Sequence, residues 1–232
     1  MHIIVHPSVQ RVGTPVNIDD QFRSMKKTKR RPYRLQRRAA SQAATHLAVA
    51  RAAFELHSTI GPSRTTVSAI AEKAGVQRLT VYRHFPDPEA IFVACSAFSF
   101  AEDPPPDPEG WRSIAEPDAR LRTALLQIYG YYRRKRQLLI NLHRDAEIAV
   151  VAAALARRRK VLAKAAALLA EGSARGDAQT DRLRVASIGH ALDFTTWRSL
   201  AETQGLSDEE LVEVMISLIA SVRSLPAAPN ER

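Results

Sequence analysis

A short stretch after Gly75 holds the side chains of this chain that are best suited to bind a charged, hydrogen-bonding partner. Val81 and Phe85 stand at i and i+4, so a helix here would bury both on one face. Its other faces would carry Gln77, Arg78, Thr80, Tyr82, Arg83 and His84, a polar and basic set without an acid. Such side chains can hydrogen-bond DNA base edges and contact phosphates. The stretch is therefore a candidate recognition helix.

The residues before Gly75 predict a first helix, from about Val67 to Ala74. Its apolar positions, spaced i, i+3, i+4 and i+7, are Val67, Ile70, Ala71 and Ala74. Thr65 or Thr66 can cap its start. Gly75 can adopt the left-handed conformation that commonly ends a helix. Two short helices around a glycine turn indicate a helix-turn-helix unit.

Two runs of sequence, TTVSAIAEKAGV and LTVYRHF, follow Val49, Leu56 and Gly61 and precede Glu89. From about Val49 to Phe92 this pattern resembles the TetR-type bacterial transcriptional regulators. The resemblance implies an all-α protein, with a three-helix DNA-binding domain followed by a larger helical domain for ligand binding and dimerisation. It further implies phosphate contacts from Thr66, Tyr82 and His84, and positions near the bases for Gln77, Arg78, Thr80 and Arg83.

Two positions depart from the family pattern. Pro88 stands where the family usually has a lysine that contacts phosphate, so that contact is not expected here. Asp87 and Pro88 nevertheless suit the start of a helix, as cap and first residue. His57 stands where the family usually buries an aromatic ring. A partly buried histidine in the core of the small domain is the default interpretation, with a role in pH sensing as the alternative.

Positive charge is concentrated in the first part of the chain. Residues 1–100 contain 15 Lys and Arg against 6 Asp and Glu, whereas residues 101–232 contain 19 against 18. The excess of +9 therefore accompanies the candidate recognition helix, as expected of a nucleic-acid-binding domain joined to a nearly neutral second domain.

Much of this excess lies in the run KKTKRRPYRLQRR, residues 26–38, which is too polar to bury. We expect residues 1–38 to form a flexible basic extension. It can act as an arm along the DNA backbone or in the minor groove, or it can be a solvated tail. The other expected divisions are a helix-turn-helix domain at 39–87, a helical regulatory and dimerisation domain at 88–226, and a tail at 227–232.

Composition agrees with an all-α fold. Hydrophobic residues make up 45% of the chain, which has alanine-rich stretches and only 9 glycines. No apolar run approaches the roughly 20 residues that a membrane span requires, and a cytoplasmic location is expected. Cys95, the single cysteine, stands on an apolar helix face with Ile91 and Phe92, so we interpret it as a core thiol, with a redox sensor as the alternative.

Beyond the proline-rich segment 101–111, which predicts a linker, apolar stripes recur at helical spacing. Helices are expected around Leu121 to Tyr132, around Val151 to Leu169 across the charged run 157–160, and from about Thr180 to Glu202. A last helix is expected from Ser207, which has capping-box spacing with Glu210. By resemblance, the final pair of helices forms a homodimer interface, and two-fold symmetry demands a near-palindromic operator.

A small-molecule effector, apolar or aromatic, is the family's other expected partner. The large side chains that could line its pocket are Trp111, Tyr132, His143, Phe194 and Trp197. For each of them, packing in the core is the competing interpretation.

Other functional classes find little support in the sequence. The seven histidines are dispersed, no HExxH or CxxC spacing occurs, and the glycines do not cluster, so neither an enzyme, a metal site nor a cofactor is predicted. The remaining alternative is a nonspecific architectural DNA-binding protein that uses the basic N-terminal arm. A sequence-specific regulator, acting as a repressor, is the main prediction.

Overall fold

A computed structural model describes the backbone of residues 18–172 and 177–222, and the side chains of these ranges from residue 33 onward. Within these ranges the chain forms nine α-helices and no strand. The expected all-α class is confirmed. The chain divides into two compact units, Met1–Thr45 and His46–Arg232.

The helices follow one another with short connections. They are α1 (Ile18–Thr59), α2 (Val67–Lys73), α3 (Arg78–His84), α4 (Pro88–Glu102), α5 (Pro117–Arg144), α6 (Ala149–Ala170), α7 (Ala178–Ala191), α8 (Phe194–Arg198) and α9 (Asp208–Ser221). Short 3-10 turns lie at Pro62–Arg64 and Pro108–Ser113, and a π-helical turn at Ser199–Thr203 follows α8. We call residues 46–87 the head and residues 103–222 the body.

The N-terminal unit is helical from Ile18, where the sequence analysis expected an irregular extension. Lys, Arg and Gln favour helix, and an exposed helix needs no apolar face, so the polar composition of residues 26–38 does not oppose this backbone. Side chains 33–43 are exposed. The expected flexibility of residues 1–38 stays a prediction, and residues 1–17 lie outside the described part of the chain.

The head has its own apolar core. Ile70 and Ala71 of α2 and Val81 and Phe85 of α3 pack on the last turns of α1. The residues of α1 and α4 that complete this core are Val49, Ala52, Ala53, Ile91 and Cys95. Helix α4 also contributes Phe92 to a second cluster with Val151 and Leu155 of α6. One helix therefore follows directly from the head and packs on the body.

The core of the body lies around α5, which buries Leu125, Tyr129 and Tyr132 completely. Helices α6, α7, α8 and α9 and Trp111 of the 3-10 turn pack against α5 in this core. The expected stripes on α5 and α6 are confirmed, and α6 runs through the charged segment 157–160 without a break. The capping box of Ser207 and Glu210 is present at the start of α9.

Two local predictions need correction. The helix expected over residues 180–202 breaks at Leu192 and Asp193, because the Asp193 carboxylate accepts the Thr195 N–H at 2.7 Å and starts α8. The proline-rich segment 101–111 contains the end of α4 and most of a 3-10 turn, since proline is tolerated in the first turn of a helix. Among the residues described, no helix is both long and apolar enough to cross a bilayer.

Candidate DNA-binding surface

The turn between α2 and α3 is built as its sequence predicted. Thr66 caps α2, with its hydroxyl oxygen accepting the Ala69 N–H at 3.1 Å. Gly75 has a φ of 67°, and the Val76 N–H donates to the Ala71 carbonyl at 2.9 Å, which closes the end of α2. A Cβ on Gly75 would meet no atom within 4 Å, so the backbone angle and not lack of space favours glycine there.

Helix α3 is anchored by one apolar face. Val81 is fully buried and Phe85 is 2% exposed, as their spacing predicted. The Phe85 ring lies 4.5 Å from the ring of His46 on α1. These contacts fix the rotation of α3 and so decide which side chains point outward.

The outward face of α3 carries the predicted polar and basic side chains. Gln77, Arg78, Tyr82 and Arg83 are exposed, whereas Thr80 and His84 are half-buried. The Arg78 Nη2 donates to the Tyr82 hydroxyl at 3.0 Å, with the guanidinium 5.5 Å from the ring centre. Leu79 is 65% exposed on this helix, a position that the sequence analysis left out.

The cations of this surface lack carboxylate partners. Neither Arg78 nor Arg83 forms an ion pair in the described part of the molecule, and the same is true of exposed Arg64 beside the start of α2. Lys73 differs, because its Nζ lies 2.8 Å from Glu55 of α1. Hydrogen bonding from Lys73, and then from Arg51, lowers the pKa of Glu55. This acid therefore fixes α2 to α1, and the charges on α3 stay available for an anion.

The end of α5 holds the last turn of α1 through a buried amide. Asn141 is fully buried, and its Nδ2 donates to the carbonyls of His57 at 3.0 Å and Ser58 at 3.1 Å. These are C-terminal carbonyls of α1 that have no partner within the helix. The body therefore satisfies the backbone of the head at this point.

Two neighbouring residues extend this contact to the turn after α1. Asp145 accepts the Ser63 N–H at 2.9 Å, and Arg144 donates both to Asp145 and to the Ile60 carbonyl. The hydrogen bond from Arg144 chiefly holds the pKa of Asp145 at about 2. Gly61 has a φ of 92°, and a Cβ there would collide with the Arg144 guanidinium. We call Asn141, Arg144 and Asp145 the head clamp.

His57 and Cys95 meet in the interior between α1 and α4. His57 is 6% exposed, its Nδ1 lies 3.3 Å from the Cys95 sulfur, and its ring faces Phe92. Burial lowers the pKa of His57 to about 4 and raises the pKa of Cys95 to about 12. The core placement of both residues is confirmed.

Two cavities lie between α4 and the helices of the body. The inner cavity has a volume of about 100 Å³ and lies among α1, α4, α5 and α6, with Phe54, Phe92, Leu139, Leu142 and Leu155 in its wall. The outer cavity, of about 500 Å³, is bounded by α4, α6 and the proline-rich segment, with Phe100, Trp111 and Ile128 in its wall. Both are lined by Ser96, Phe100, Ala154 and Arg158.

The five large residues proposed from sequence for an effector pocket divide between two places. Trp111 lines the outer cavity. The other four lie together: the ring of Phe194 is 5.3 to 5.7 Å from those of Tyr132, His143 and Trp197. Hydrogen bonds from Tyr132 to the Leu192 carbonyl and from Trp197 to Asp208 fix this aromatic group. A role in ligand binding stays a prediction for all five.

Arg158 was not singled out from the sequence, where it belongs to a charged run. In the structure it is half-buried, and its guanidinium lies 5.6 Å from the ring centre of Tyr131 and 5.1 Å from that of Tyr132. Its Nε is buried without a hydrogen-bond partner. Burial raises the pKa of both tyrosines, and the Arg158 charge partly opposes that rise.

A comparison with known proteins finds a match in the part of the chain that contains the candidate DNA-binding surface. The family model described as "Bacterial regulatory proteins, tetR family" matches residues 49–95, which run from α1 through α2 and α3 into α4. No curated protein matches the sequence.

Solved structures share the fold. A TetR-like transcriptional regulator from Rhodococcus sp. RHA1 is 20% identical, with a TM-score of 0.57 over 78% of this chain and 96% of that one. NalD, the secondary repressor of the MexAB-OprM multidrug efflux pump in Pseudomonas aeruginosa, is 18% identical, with a TM-score of 0.53 over 79% and 97%. At these identities, the likeness concerns the arrangement of helices.

Proposed function

We propose that this chain, whose residues 49–95 match the model of the tetR family of bacterial regulatory proteins, is a transcriptional regulator that binds a near-palindromic operator as a homodimer and is released by a small-molecule effector in the body. The observation that carries the DNA-binding part is the outward face of α3. Arg78 and Arg83 are exposed there and pair with no carboxylate of the described residues, on a helix held by Val81 and Phe85. A helix of this kind can enter the major groove with its donors turned toward the bases.

The residues of this surface have different proposed roles. Thr66, Tyr82 and His84 contact phosphates, and so does Arg64, which is exposed beside α2 and has no ion pair with any residue that the structure describes. Gln77, Arg78, Thr80 and Arg83 lie near the bases. Leu79, at 65% exposure, offers an apolar contact for a thymine methyl group. Thr66 also caps α2, so its substitution would affect the helix as well as any phosphate contact.

A competition titration tests the specificity of binding. The operator is first selected from random duplex DNA, and its affinity is then compared with that of random duplex at the same salt concentration. A specific regulator prefers its operator by about 10³ or more. Equal affinity would favour the architectural alternative and contradict this proposal.

Single substitutions test the assignment of roles. Tyr82→Ala weakens binding to all duplexes alike, because phosphates carry no sequence information. Gln77→Ala changes the preference at particular base pairs. The reverse pattern would exchange the proposed roles of these two residues.

The basic N-terminal extension has a supporting role in this proposal. Deleting residues 1–38 reduces affinity and flattens its salt dependence, because fewer counterions are released from DNA, while the preferred sequence stays the same. Unchanged affinity and salt slope would mean that the extension does not contact DNA.

Dimerisation is proposed through α7 and α9. Helix α9 buries Leu211 and Met215 against the body while Leu218 stays 55% exposed and Val214 38% exposed. Leu218→Asp is expected to shift the sedimentation equilibrium from dimer to monomer. Val93→Asp, at a site on α4 that is 51% exposed, is the matched control and should leave the dimer intact.

Effector release is proposed to act through α4 and the head clamp. The inner and outer cavities both reach α4, which follows α3 in the chain, and the clamp joins α5 to the end of α1. A ligand that favours one packing of these helices would change the separation of the two heads in a dimer. Hydrogen exchange of α4 and α1 amides, measured with and without an effector, tests this route.

A further inference from the structure

We infer that the effector of this regulator is an amphipathic monoanion, a carboxylate on a hydrocarbon or aromatic body, whose charged end contacts Arg158. This inference rests on the proposed effector site and specifies its chemistry. It narrows the apolar or aromatic effector that the sequence suggested.

The position of Arg158 is the first step. Its side chain lines both the inner and the outer cavity, so it lies where the two spaces meet. A molecule that occupies either cavity would therefore meet this cation. Arg157 also lines the outer cavity, but it is exposed to solvent.

The surroundings of Arg158 leave its charge without a counterion. Among the described residues no carboxylate lies within ion-pair distance of it, and its Nε is buried without a hydrogen-bond partner. Asp107, the acid found in the described wall of the outer cavity, accepts the Glu109 N–H instead. Tyr131 and Tyr132 stabilise the cation in part, through their rings and through hydrogen bonding that opposes the rise in their own pKa, but they are neutral and leave the Nε without a partner.

The neighbouring cation, Lys135, differs from Arg158 because a carboxylate lies near it. Lys135 is 7% exposed, and its Nζ lies 3.5 Å from the Asp103 carboxylate and 3.4 Å from the Ser99 hydroxyl. Lys135 thus lies beside an acid of the same chain, which it shares with Arg134. Arg158 is half-buried at both cavities without such an acid among the described residues, so one negative charge would complete the site.

The chemistry of the ligand follows from the Arg158 guanidinium and from the apolar wall around it. A guanidinium presents a planar set of donors that matches a carboxylate in a bidentate contact. The rest of the wall is largely apolar, with Phe92, Phe100 and Leu155 near the shared region. One cation in an apolar space favours a monoanion with a hydrophobic body over a dianionic phosphate, which would bring a second charge into that space.

Calorimetric titration of the full-length protein tests this inference without DNA. The probes are octanoate, decanoate and 4-phenylbutyrate, each compared with the primary alcohol of the same skeleton. We expect at least one acid to bind about tenfold or more tightly than its alcohol, since hydrogen bonds to charged groups stabilise more than neutral ones. Equal binding of acid and alcohol, or binding of none of the three acids, would overturn the inference.

Three variants show whether Arg158 causes this preference for the acid. In Arg158→Gln the affinity for the acid falls by about tenfold or more, while that for the alcohol changes by less than about threefold. Arg159→Gln, at the exposed next position, is the matched control and keeps wild-type discrimination. Arg158→Lys keeps the charge without the planar fork and gives an intermediate loss, which preserves the test if the glutamine variant does not fold. Undiminished discrimination in the Arg158 variants would contradict the assignment.

Operator binding is measured separately on the same proteins. If the wild type prefers an operator but no acid binds, the ligand class is wrong and the DNA-binding proposal stands. If an acid binds through Arg158 but no operator is found, the ligand class stands and the proposal of sequence-specific DNA binding is wrong.

Discussion

The arginines of α5 and those of α3 meet different surroundings in this molecule. Helix α5 has six arginines. Five of them pair with carboxylates: Arg122 with Glu213, Arg133 with Asp208, Arg134 with Asp103, Arg136 with Glu202 and Arg144 with Asp145. The sixth, Arg120, donates to the Glu171 backbone carbonyl. Arg78 and Arg83 of α3, by contrast, have no carboxylate partner in the described ranges.

The difference shows that charge alone does not identify a binding surface. Both helices are basic, but the carboxylates around α5 neutralise its charge within the fold. On α3 the Arg78 guanidinium contacts the neutral Tyr82 side chain, so the charges of Arg78 and Arg83 stay available for an external anion. Arg158 of α6 lies in the body, as the α5 arginines do, but within the described ranges it has no carboxylate partner like those of five α5 arginines. An unmatched arginine therefore points to an external ligand in both regions.

The largest expected effect comes from Arg78→Gln. We expect operator affinity to fall by about a hundredfold, as a bidentate contact to a base is lost, while the melting temperature stays close to that of the wild type. Fluorescence anisotropy at fixed salt measures the affinity. Arg122→Gln, on α5, is the control and should bind as the wild type does; an equal loss in both variants would remove the distinction between the helices.

The head clamp provides the next test, because it joins the end of α5 to the end of α1 in the head. Asn141→Leu leaves the carbonyls of His57 and Ser58 without a donor in the interior, and we expect the free energy of unfolding to fall by about 2–3 kcal/mol. Gln137→Ala, at an exposed position whose side chain donates to the Asn141 Oδ1, should cost much less. Urea denaturation of both variants decides the matter, and equal losses would show that the contact to α1 adds nothing.

The interior of the head is expected to exclude charge, in contrast to the cavity at Arg158. Burial lowers the pKa of His57 from 6.5 to about 4, so the unfolded chain takes up a proton at higher pH than the folded one. Stability is then fully present above pH 6.5 and is lost as the pH falls toward 4. Between pH 7.5 and pH 5 this loss amounts to about 2 kcal/mol. Denaturation of the wild type and His57→Phe across this range measures it, and parallel pH profiles would contradict the assignment.

The smallest expected effect concerns Leu79. Leu79→Ala removes an exposed apolar side chain from α3, and we expect the preference for thymine at one position to weaken by about threefold with little change in stability. Leu126→Ala, at an exposed apolar position of α5, serves as the control. The wild type should have the same affinity for an operator with uracil at this position as Leu79→Ala has for the thymine operator, because uracil lacks the methyl group.

Local patterns explain how much of this structure could be predicted. The cap at Thr66, the turn at Gly75 and the buried pair Val81 and Phe85 depend on residues within one or two turns of each other, and all were readable from the sequence. The break at Asp193 was also encoded locally. Its carboxylate caps α8, but the apolar periodicity on both sides concealed that signal.

The features that escaped prediction depend on distant parts of the chain. Asn141 meets the end of α1 across 83 and 84 positions, and nothing near Asn141 marks its partner. Arg158 looks like any other member of a charged run until α4, α5 and α6 are packed together. Pairing also distinguishes Lys73 from Arg78, since the Glu55 that neutralises Lys73 lies on another helix.

The central claim is that the outward face of α3 reads base sequence. Parallel selection of bound duplexes from random DNA by the wild type and by Arg78→Gln tests it most directly. The wild type is predicted to enrich a near-palindrome with half-sites about one helical turn apart, and the variant to lose or change the preference at the same position in each half-site. Failure of the wild type to enrich any sequence, or an identical motif from both proteins, would contradict the claim.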